Sequence, residues 1–314
     1  EAAEEIFSKL IHPVVPDDKL RRLARALQRT PTALRYVHKK RMISLREIET
    51  RRMGWTGRRI TIPIFNEFGL CVNLKMYDPL AGKPGHGPKM VNYRDEDDVR
   101  SFGSPPMLHP LSALEGEDPV FICEGEWDAH ALLSLGLTAV TTTAGSKSWP
   151  SQYNQMLFGR NVVIAYDNDK DGVLYASKRV IRNLRKVAKT IRQIYIPKRV
   201  GKDVTDWLAA EPEMRRKEAW LKIAKRAKVI VNNPDEVLQQ NRIIQLALDK
   251  ASSCEHFNQP IQVDALITGK GTSPYLVPRK FRLSCTKECD ECPLAEIPGR
   301  VKDCEIDPKE PRTL

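Results

Sequence analysis

The sequence predicts an α/β protein: a mostly parallel sheet flanked by helices, with a basic α+β segment before it and a small β-rich module after it. Three observations carry that expectation. Short apolar runs alternate with helical patterns from Asp118 onward, positive charge gathers ahead of that region, and four cysteines crowd the last thirty residues.

The alternating region opens with a strand from Val120 to Cys123, a helix from Asp128 to Leu135 ending at Gly136, and a strand from Thr138 to Thr142. After a Gly-Ser loop, a helix with Pro150 near its start and Gly159 at its end leads into a strand from Asn161 to Tyr166. A helix from Val173 to about Lys189 follows, with Val173, Leu174, Val180, Leu184 and Val187 on one stripe, and a strand from Ile191 to Ile196 closes the run. Strands alternating with helices of this length imply right-handed crossovers and a parallel sheet.

Ahead of this region, Glu4 to Arg29 reads as helix, with Leu20, Leu23, Ala24 and Leu27 at helical spacing. Arg58 to Tyr77 reads as a β-hairpin turning at Gly69, and Leu80 to Lys89, rich in Gly and Pro, as a loop. Behind it, 213–250 is expected to be a charged helical connector, and the alternation around Ile261 to Ile267 and Lys280 to Cys285 suggests β structure. The expected units are thus an N-terminal helical segment at 1–32, a basic subdomain at 33–115, the α/β domain at 116–212, the connector, and a β-rich module at 251–314.

The formal charge of +11 is unevenly placed: between Lys19 and Arg59 stand fourteen Lys and Arg against Glu47 and Glu49, so this one segment carries the whole excess. Concentrated positive charge favours a polyanion through phosphate contacts and counterion release, which points to DNA or RNA; a solvated helix face is the plain alternative. No apolar run approaches the roughly 20 residues that span a bilayer, and Glu1-Ala-Ala-Glu-Glu does not begin a secretory signal. The expected location is cytoplasmic, at the nucleoid or in a phage replication complex, and a chain beginning without Met is read as a fragment.

Chemistry is concentrated where acidic residues follow the apolar runs: Glu124-Gly125 with Asp128 after the first strand, and Asp167-Asn-Asp169-Lys-Asp171-Gly172 after the third. Parallel strands present their C-terminal ends along one edge, so these carboxylates are expected to meet. An oxygen-rich cluster of this kind is relieved by a hard divalent cation whose shell phosphates commonly complete, which points to phosphoryl or nucleotidyl transfer. Asp128 fits a helix cap or a supporting role better than a ligand, and Trp127, Trp149 and His130 fit packing roles.

Together, Glu124-Gly125 with Asp128, the loop Ala144-Gly145-Ser146-Lys-Ser-Trp149, and Asp167-x-Asp169-x-x-Gly172 resemble the TOPRIM domain of bacterial primases and of type IA and II topoisomerases. Lys202-Asp203-Val-Thr-Asp206-Trp-Leu resembles the Lys-Asp-Leu-Ser-Asp-Tyr-Leu stretch closing that domain in bacterial and phage primases. Upstream, Ala33 to Ser44, Met53-Gly54-Trp55, Ile62-Pro63-Ile64 and Gly87-Pro88-Lys89-Met-Val-Asn92 resemble the basic subdomain of DnaG-type primases. There an Arg-Gly-Ile-Ser motif precedes an Ile-Pro-Ile strand and a Pro-Lys-Tyr-Leu-Asn motif; this chain has Met42 where the family has Gly.

The resemblance implies that Glu124, Asp167 and Asp169 are catalytic, Asp167 and Asp169 as ligands of Mg²⁺ or Mn²⁺ and Glu124 in metal binding or acid–base work; Asp171 adds a carboxylate that either joins the metal or caps the helix that follows. It implies nucleotide or template binding by Lys89, with Lys75 on the strand before it; Arg58, Arg59, Lys39, Lys40 and Arg41 join that set from charge. The implied function is DNA-templated synthesis of RNA primers from nucleoside triphosphates on a single-stranded DNA template, in a phage, plasmid or mobile element, beside a replicative helicase or a fused helicase domain. A TOPRIM-type nuclease and a non-catalytic nucleic-acid-binding platform are the alternatives. Nucleases of that kind usually carry a phosphate-binding loop, and no Gly-x₄-Gly-Lys-Ser/Thr occurs in this sequence.

Cys285-x₃-Cys289-x₂-Cys292-x₁₁-Cys304 has the spacing of a structural Zn²⁺ site with four thiolates. The first three also have the spacing that holds a [4Fe–4S] cluster in radical enzymes, but no barrel pattern accompanies them. A zinc-stabilised β-rich module, comparable with an OB-type barrel, is therefore expected at the C-terminal end.

Overall fold

The computed structural model describes residues 14–93, 106–145, 148–169 and 177–239, together with the backbone of three C-terminal strands. The described residues open with α1 (Asp17–Gln28), the part of the expected Glu4–Arg29 helix before residue 14 lying outside them, and continue with α2 (Pro31–Arg35), a π-helical turn (Tyr36–Lys40) and α3 (Leu45–Thr50). Ser44 starts α3 by accepting a hydrogen bond from the Glu47 N–H at 3.1 Å, which satisfies one of the unpaired donors of the first turn.

Strands β1 (Gly54–Trp55), β2 (Ile60–Phe65), β3 (Cys71–Tyr77) and β4 (Met90–Asn92) form an antiparallel sheet in sequence order. Helix α1 lies so close to β1 that a Cβ on Gly54 would stand 2.6 Å from Leu23 Cβ and 2.8 Å from its backbone carbon. Glycine is therefore required there by space.

The second sheet contains β5 (Leu108–His109), β6 (Val120–Cys123), β7 (Ala139–Thr142), β8 (Asn161–Ala165), β9 (Thr190–Gln193) and β10 (Lys228–Asn232), in the order β10-β9-β8-β6-β7-β5. Its four central strands run parallel, as the sequence predicts, but both edge strands are antiparallel. Edge strand β10 corrects the expected helical connector over 213–250. Helix α7 (Arg216–Arg226) ends after eleven residues, and Lys228 to Asn232 pair with β9. The β-branched run Val229-Ile230-Val231 favours a pleated edge over a helix.

Two apolar layers cover the sheet. Val120, Ile122, Val162 and Ile164 face one core, with Leu157, Val180 and Leu184, while the alternate residues Phe121, Cys123, Val163 and Ala165 face the other, with Leu132, Trp207 and Trp220. Both faces of β6 and β8 are buried, which is why they read as unbroken apolar runs. The second layer is built by α4 (Glu126–Ser134), α6 (Val204–Ala210) and α7; Trp220 stands 5.2 Å from the Trp207 ring and 5.9 Å from Phe121. The first is covered by α5 (Ser177–Leu184) and by a 3₁₀ segment (Ser151–Leu157) where the sequence pattern predicts an α-helix. Pro150 at the start of that segment and Gly159 at its end leave room for little more than two turns.

A third core joins the two sheets: Leu27, Val37, Ile43, Ile48, Met53, Ile60, Ile62 and Tyr77 pack with Trp127 of α4. The C-terminal backbone adds a separate antiparallel sheet of β11 (Gln262–Thr268), β12 (Tyr275–Leu283) and β13 (Arg312–Thr313). Among the described residues no helix is long and apolar enough to cross a membrane.

Candidate active site at the carboxyl edge of the sheet

Strands β6 and β8 are adjacent and in register, with Cys123 opposite Ala165. The residues just beyond their C-terminal ends are therefore neighbours although forty-three positions separate them in sequence. Glu124 Oε2 accepts a hydrogen bond from the Asp167 N–H at 3.3 Å, and the Glu124 carbonyl accepts from Thr141 Oγ1 at 3.0 Å. The juxtaposition of Glu124 and Asp167 is as the sequence predicts. Asp169 lies two residues on and is exposed, while Asp171 and the loop residues Ser146 and Lys147 fall outside the described residues.

A third segment reaches the same edge. Lys202 places Nζ 3.2 Å from Asp167 Oδ2, and its carbonyl accepts from the Asn168 N–H at 2.7 Å, which ties the two loops together. Asp203 caps α6 by accepting from the Asp206 N–H, and Asp206 accepts from the Lys202 N–H at 3.0 Å. The turn leaves no room beside Gly201, where a Cβ would stand 2.2 Å from Asp206 Cβ. Burial pushes the Asp167 carboxyl above its ordinary range; Lys202 opposes this, whereas Asp203 and Asp169 add to it by repulsion.

Behind this edge lies Asp128. The sequence suggests a cap for its own helix, but its Oδ1 accepts from both the N–H (3.0 Å) and the Oγ1 (2.8 Å) of Thr205, so it fastens the start of α6 to α4. Burial, followed by repulsion from Asp203, pushes its pKa up to about 7.

The basic residues divide. Lys75 and Tyr77 share one face of β3. Lys75 Nζ lies 4.0 Å from Glu126 Oε1 at the start of α4, two residues from Glu124. Lys89 is exposed with Nζ 5.9 Å from the Tyr77 ring centre, while Lys39 and Lys40 are exposed beside a recess also lined by Thr32, Arg35 and Tyr36. Arg41 turns inward: it donates to the hydroxyls of Tyr36 and Tyr77 and sits 4.9 Å from the Tyr77 ring and 5.3 Å from the Trp127 ring. A guanidinium so enclosed braces the contact between the two sheets.

Arg58 and Arg59, expected from charge to bind nucleotide or template, have internal partners. Arg59 donates to the carbonyls of Met76 and Pro88, Arg58 to that of Gly85, and both approach the fully buried Asp78 at 3.6–3.7 Å. His86 Nδ1 lies 2.9 Å from Asp78 Oδ2. Burial would raise the Asp78 carboxyl, but His86, the Leu80 N–H and Arg59 together hold it below its ordinary range. This knot closes the 79–88 loop that delivers Lys89.

A buried polar chain joins α3, α4 and β5, which the sequence did not signal. Glu47 Oε1 lies 2.8 Å from His130 Nδ1, and His130 Nε2 lies 3.1 Å from His109 Nε2. Arg51 donates to Glu47 at 2.9 Å. With His130 Nδ1–H donating to the carboxylate, its Nε2 accepts from His109, which leaves His109 Nδ1 as the unpaired acceptor that is observed. Burial, then His130, hold the His109 pKa well below its ordinary value.

Among the described residues no three His, Cys, Asp or Glu side chains stand together within reach of one ion. The donor set still suits a hard dication of the Mg²⁺ type, which takes one or two carboxylates and completes its shell with water and phosphate. Glu124 and Asp167 supply hard oxygens, and an Asp167 carboxylate raised by burial, with smaller additions from Asp203 and Asp169, is one whose charged form a cation would favour. The four C-terminal cysteines lie outside the described residues, as do Cys254 and His256. Cys71 and Cys123 are buried free thiols.

The acidic edge and its four parallel strands are those of a Toprim-like domain, and residues 121–208 match the Toprim-like family. About three quarters of the chain shares the fold of DnaG-type primase catalytic cores. It is similar to the Aquifex aeolicus primase comprising zinc-binding and RNA polymerase domains (TM-score 0.52, 18% identity, covering 75% of this chain and 63% of that one). It is similar also to the DnaG catalytic core (0.51, 19%, covering 76% and 84%) and to the DnaG primase catalytic domain bound to single-stranded DNA (0.50, 19%, covering 75% and 88%). No curated protein matched the sequence.

Proposed function

We propose that this chain is the catalytic part of a DNA primase, which joins ribonucleotides into short RNA primers on a single-stranded DNA template. The observation that carries the proposal is the meeting of Glu124 and Asp167 at adjacent strand ends, with Lys75 4.0 Å from Glu126 two residues on. The likeness of fold to primase cores supports it.

Glu124, Asp167 and Asp169, with Asp171 beside them in sequence, would hold Mg²⁺ or Mn²⁺. Such a cation stabilises charge on the attacking 3′-oxygen and the departing pyrophosphate. The chain's own part is placement: Lys89 and Lys75 bind triphosphate or template phosphate, and Lys39 and Lys40 extend the basic track for the template strand. Arg58 and Arg59 act one step back, by holding the loop that carries Lys89. Arg41 keeps the two sheets at a fixed distance. Cys285, Cys289, Cys292 and Cys304 would hold a structural Zn²⁺, and a replicative helicase, fused or separate, is the expected partner. The domain limits we propose are 33–115 for the basic part and 116–212 for the Toprim-like part; the origin we propose is a phage, plasmid or other mobile element.

The test is extension of labelled nucleoside triphosphates on a panel of short single-stranded templates with Mg²⁺ or Mn²⁺. The expected result is primer-length RNA that disappears in Asp167→Ala while template binding, followed by anisotropy, is kept. Cleavage of the template without nucleotides would assign the site to a nuclease instead, and absence of any product with binding unchanged would leave a binding platform.

A further inference from the structure

We propose that the Lys202 ammonium is a built-in counter-ion that occupies the cation's place on Asp167 and must be displaced before a divalent metal binds. The inference rests on the metal-binding role proposed above for the acidic edge. Lys202 Nζ lies 3.2 Å from Asp167 Oδ2, the distance of a direct ion pair, and its side chain is 62% exposed while that of Asp167 is 16% exposed. The carboxylate is thus mostly enclosed, and the ammonium is the more exposed partner of the pair.

The backbone explains why the ammonium is found there. The Asn168 N–H donates to the Lys202 carbonyl at 2.7 Å, and the Asn168 side chain donates to the Ile196 carbonyl. The Lys202 N–H donates to Asp206 at 3.0 Å, and Gly201 is packed against Asp206 without room for a Cβ. These contacts anchor the main chain of Lys202 beside the loop that follows β8, while four methylenes leave its head free to swing.

A lysine and a dication cannot both contact one carboxylate oxygen, because like charges a few ångströms apart repel strongly in a half-buried site. In the metal-free protein the lysine relieves the repulsion that the acidic edge would otherwise carry. Metal binding then exchanges one cation for another. The cluster stays assembled in both states, and the intrinsic metal affinity is lowered by the strength of the ion pair it must break.

The experiment measures Mn²⁺ binding by electron paramagnetic resonance on the full chain, without nucleotide, for the wild type, Lys202→Met, Lys202→Arg and Asp167→Asn. An exposed ion pair of this kind at its upper worth converts to roughly a fivefold factor. Lys202→Met, which keeps the length and loses the charge, is expected to bind Mn²⁺ about that much more tightly, and Lys202→Arg close to the wild type. Thermal unfolding gives a second measure: Lys202→Met melts lower than the wild type without metal and gains more from added Mg²⁺.

Equal or weaker Mn²⁺ affinity in Lys202→Met, with the wild type binding Mn²⁺ and Asp167→Asn failing to, overturns the counter-ion role and leaves the metal site standing. Failure of the wild type and Lys202→Met alike to bind Mn²⁺ overturns both. Binding seen in Lys202→Met but not in the wild type supports the exchange in its strongest form.

Discussion

Asp128→Asn is the perturbation whose outcome can be worked furthest from the structure. The carboxyl is enclosed between α4 and α6, its Oδ1 accepts two hydrogen bonds from Thr205, and burial and Asp203 push its pKa up to about 7 from 3.8. A raised carboxyl pKa means that the folded chain holds the proton more tightly than the unfolded one. Below pH 3.8 both states are protonated and nothing is lost. Between pH 3.8 and about 7 the unfolded state alone releases its proton, so stability falls as pH rises, and above pH 7 the full penalty is present. A shift of about three pH units corresponds to a penalty on the order of 4 kcal/mol. Asparagine keeps the Oδ1 acceptor for Thr205 and cannot ionise, so it removes the penalty and preserves the contact. The assay is urea unfolding followed by circular dichroism at several pH values, comparing the two proteins at each. His109 slopes the other way: its folded pKa is depressed, so the unfolded state binds its proton first and stability is lost as pH falls below 6.5. That contribution is common to both proteins and cancels in the difference. Asp128→Asn is expected to be the more stable protein at pH 8, with the advantage shrinking to nothing near pH 4. A variant that is equally or less stable at pH 8 and shows an unchanged pH slope would refute the reasoning.

Two further outcomes follow from the polar networks. Glu47→Ala removes the acceptor for His130 Nδ1 inside a closed core and leaves that donor unpaired, at a cost of about 1–3 kcal/mol read as a lower urea midpoint with an unchanged slope. Asp78→Asn should loosen the 79–88 loop by weakening the hold of Arg58, Arg59 and His86; it is expected to raise KM for nucleoside triphosphate several-fold with kcat little changed, and to speed amide exchange across the loop.

What could be read from the sequence follows from where information is local. Strands β6 and β8 were legible because burial on both faces writes an unbroken apolar run into four or five consecutive residues. Glu124 and Asp167 were legible because such runs end at a known edge. Lys202 lies thirty-five residues from its partner, and the pairing leaves no periodic trace; only the matching of Lys-Asp-x-x-Asp as a motif marked the segment. The chain Glu47–His130–His109 spans three elements, each contributing one residue that alone looks ordinary. Strand β10 was hidden because Val229-Ile230-Val231 is short and follows a charged helix, so the longer pattern dominated the reading.

Counting charge has a related limit: a count does not say which cations are already committed. Of the fourteen between Lys19 and Arg59, Arg21 and Arg52 meet Asp17, Arg51 meets Glu47, Arg58 and Arg59 meet Asp78, and Arg41 is enclosed by tyrosines and a tryptophan. These pairs set the spacing of helices and loops and release few counterions when a polyanion arrives. Lys39, Lys40 and Lys89 are exposed, and Lys89 Nζ lies 5.9 Å from the Tyr77 ring centre. The same economy holds on the acidic side, where Lys202 answers Asp167 and Thr205 answers Asp128. Inside the proposed site two internal pairs stand where ligands would bind, Lys202 with Asp167 and Lys75 with Glu126, while Lys39, Lys40 and Lys89 are exposed. A ligand that carries both a dication and phosphates replaces internal pairs on both walls at once, whereas the metal alone or the nucleotide alone must break pairs on one wall without offering the other a partner. On the proposed reading, metal and triphosphate together are therefore expected to bind more tightly than either by itself.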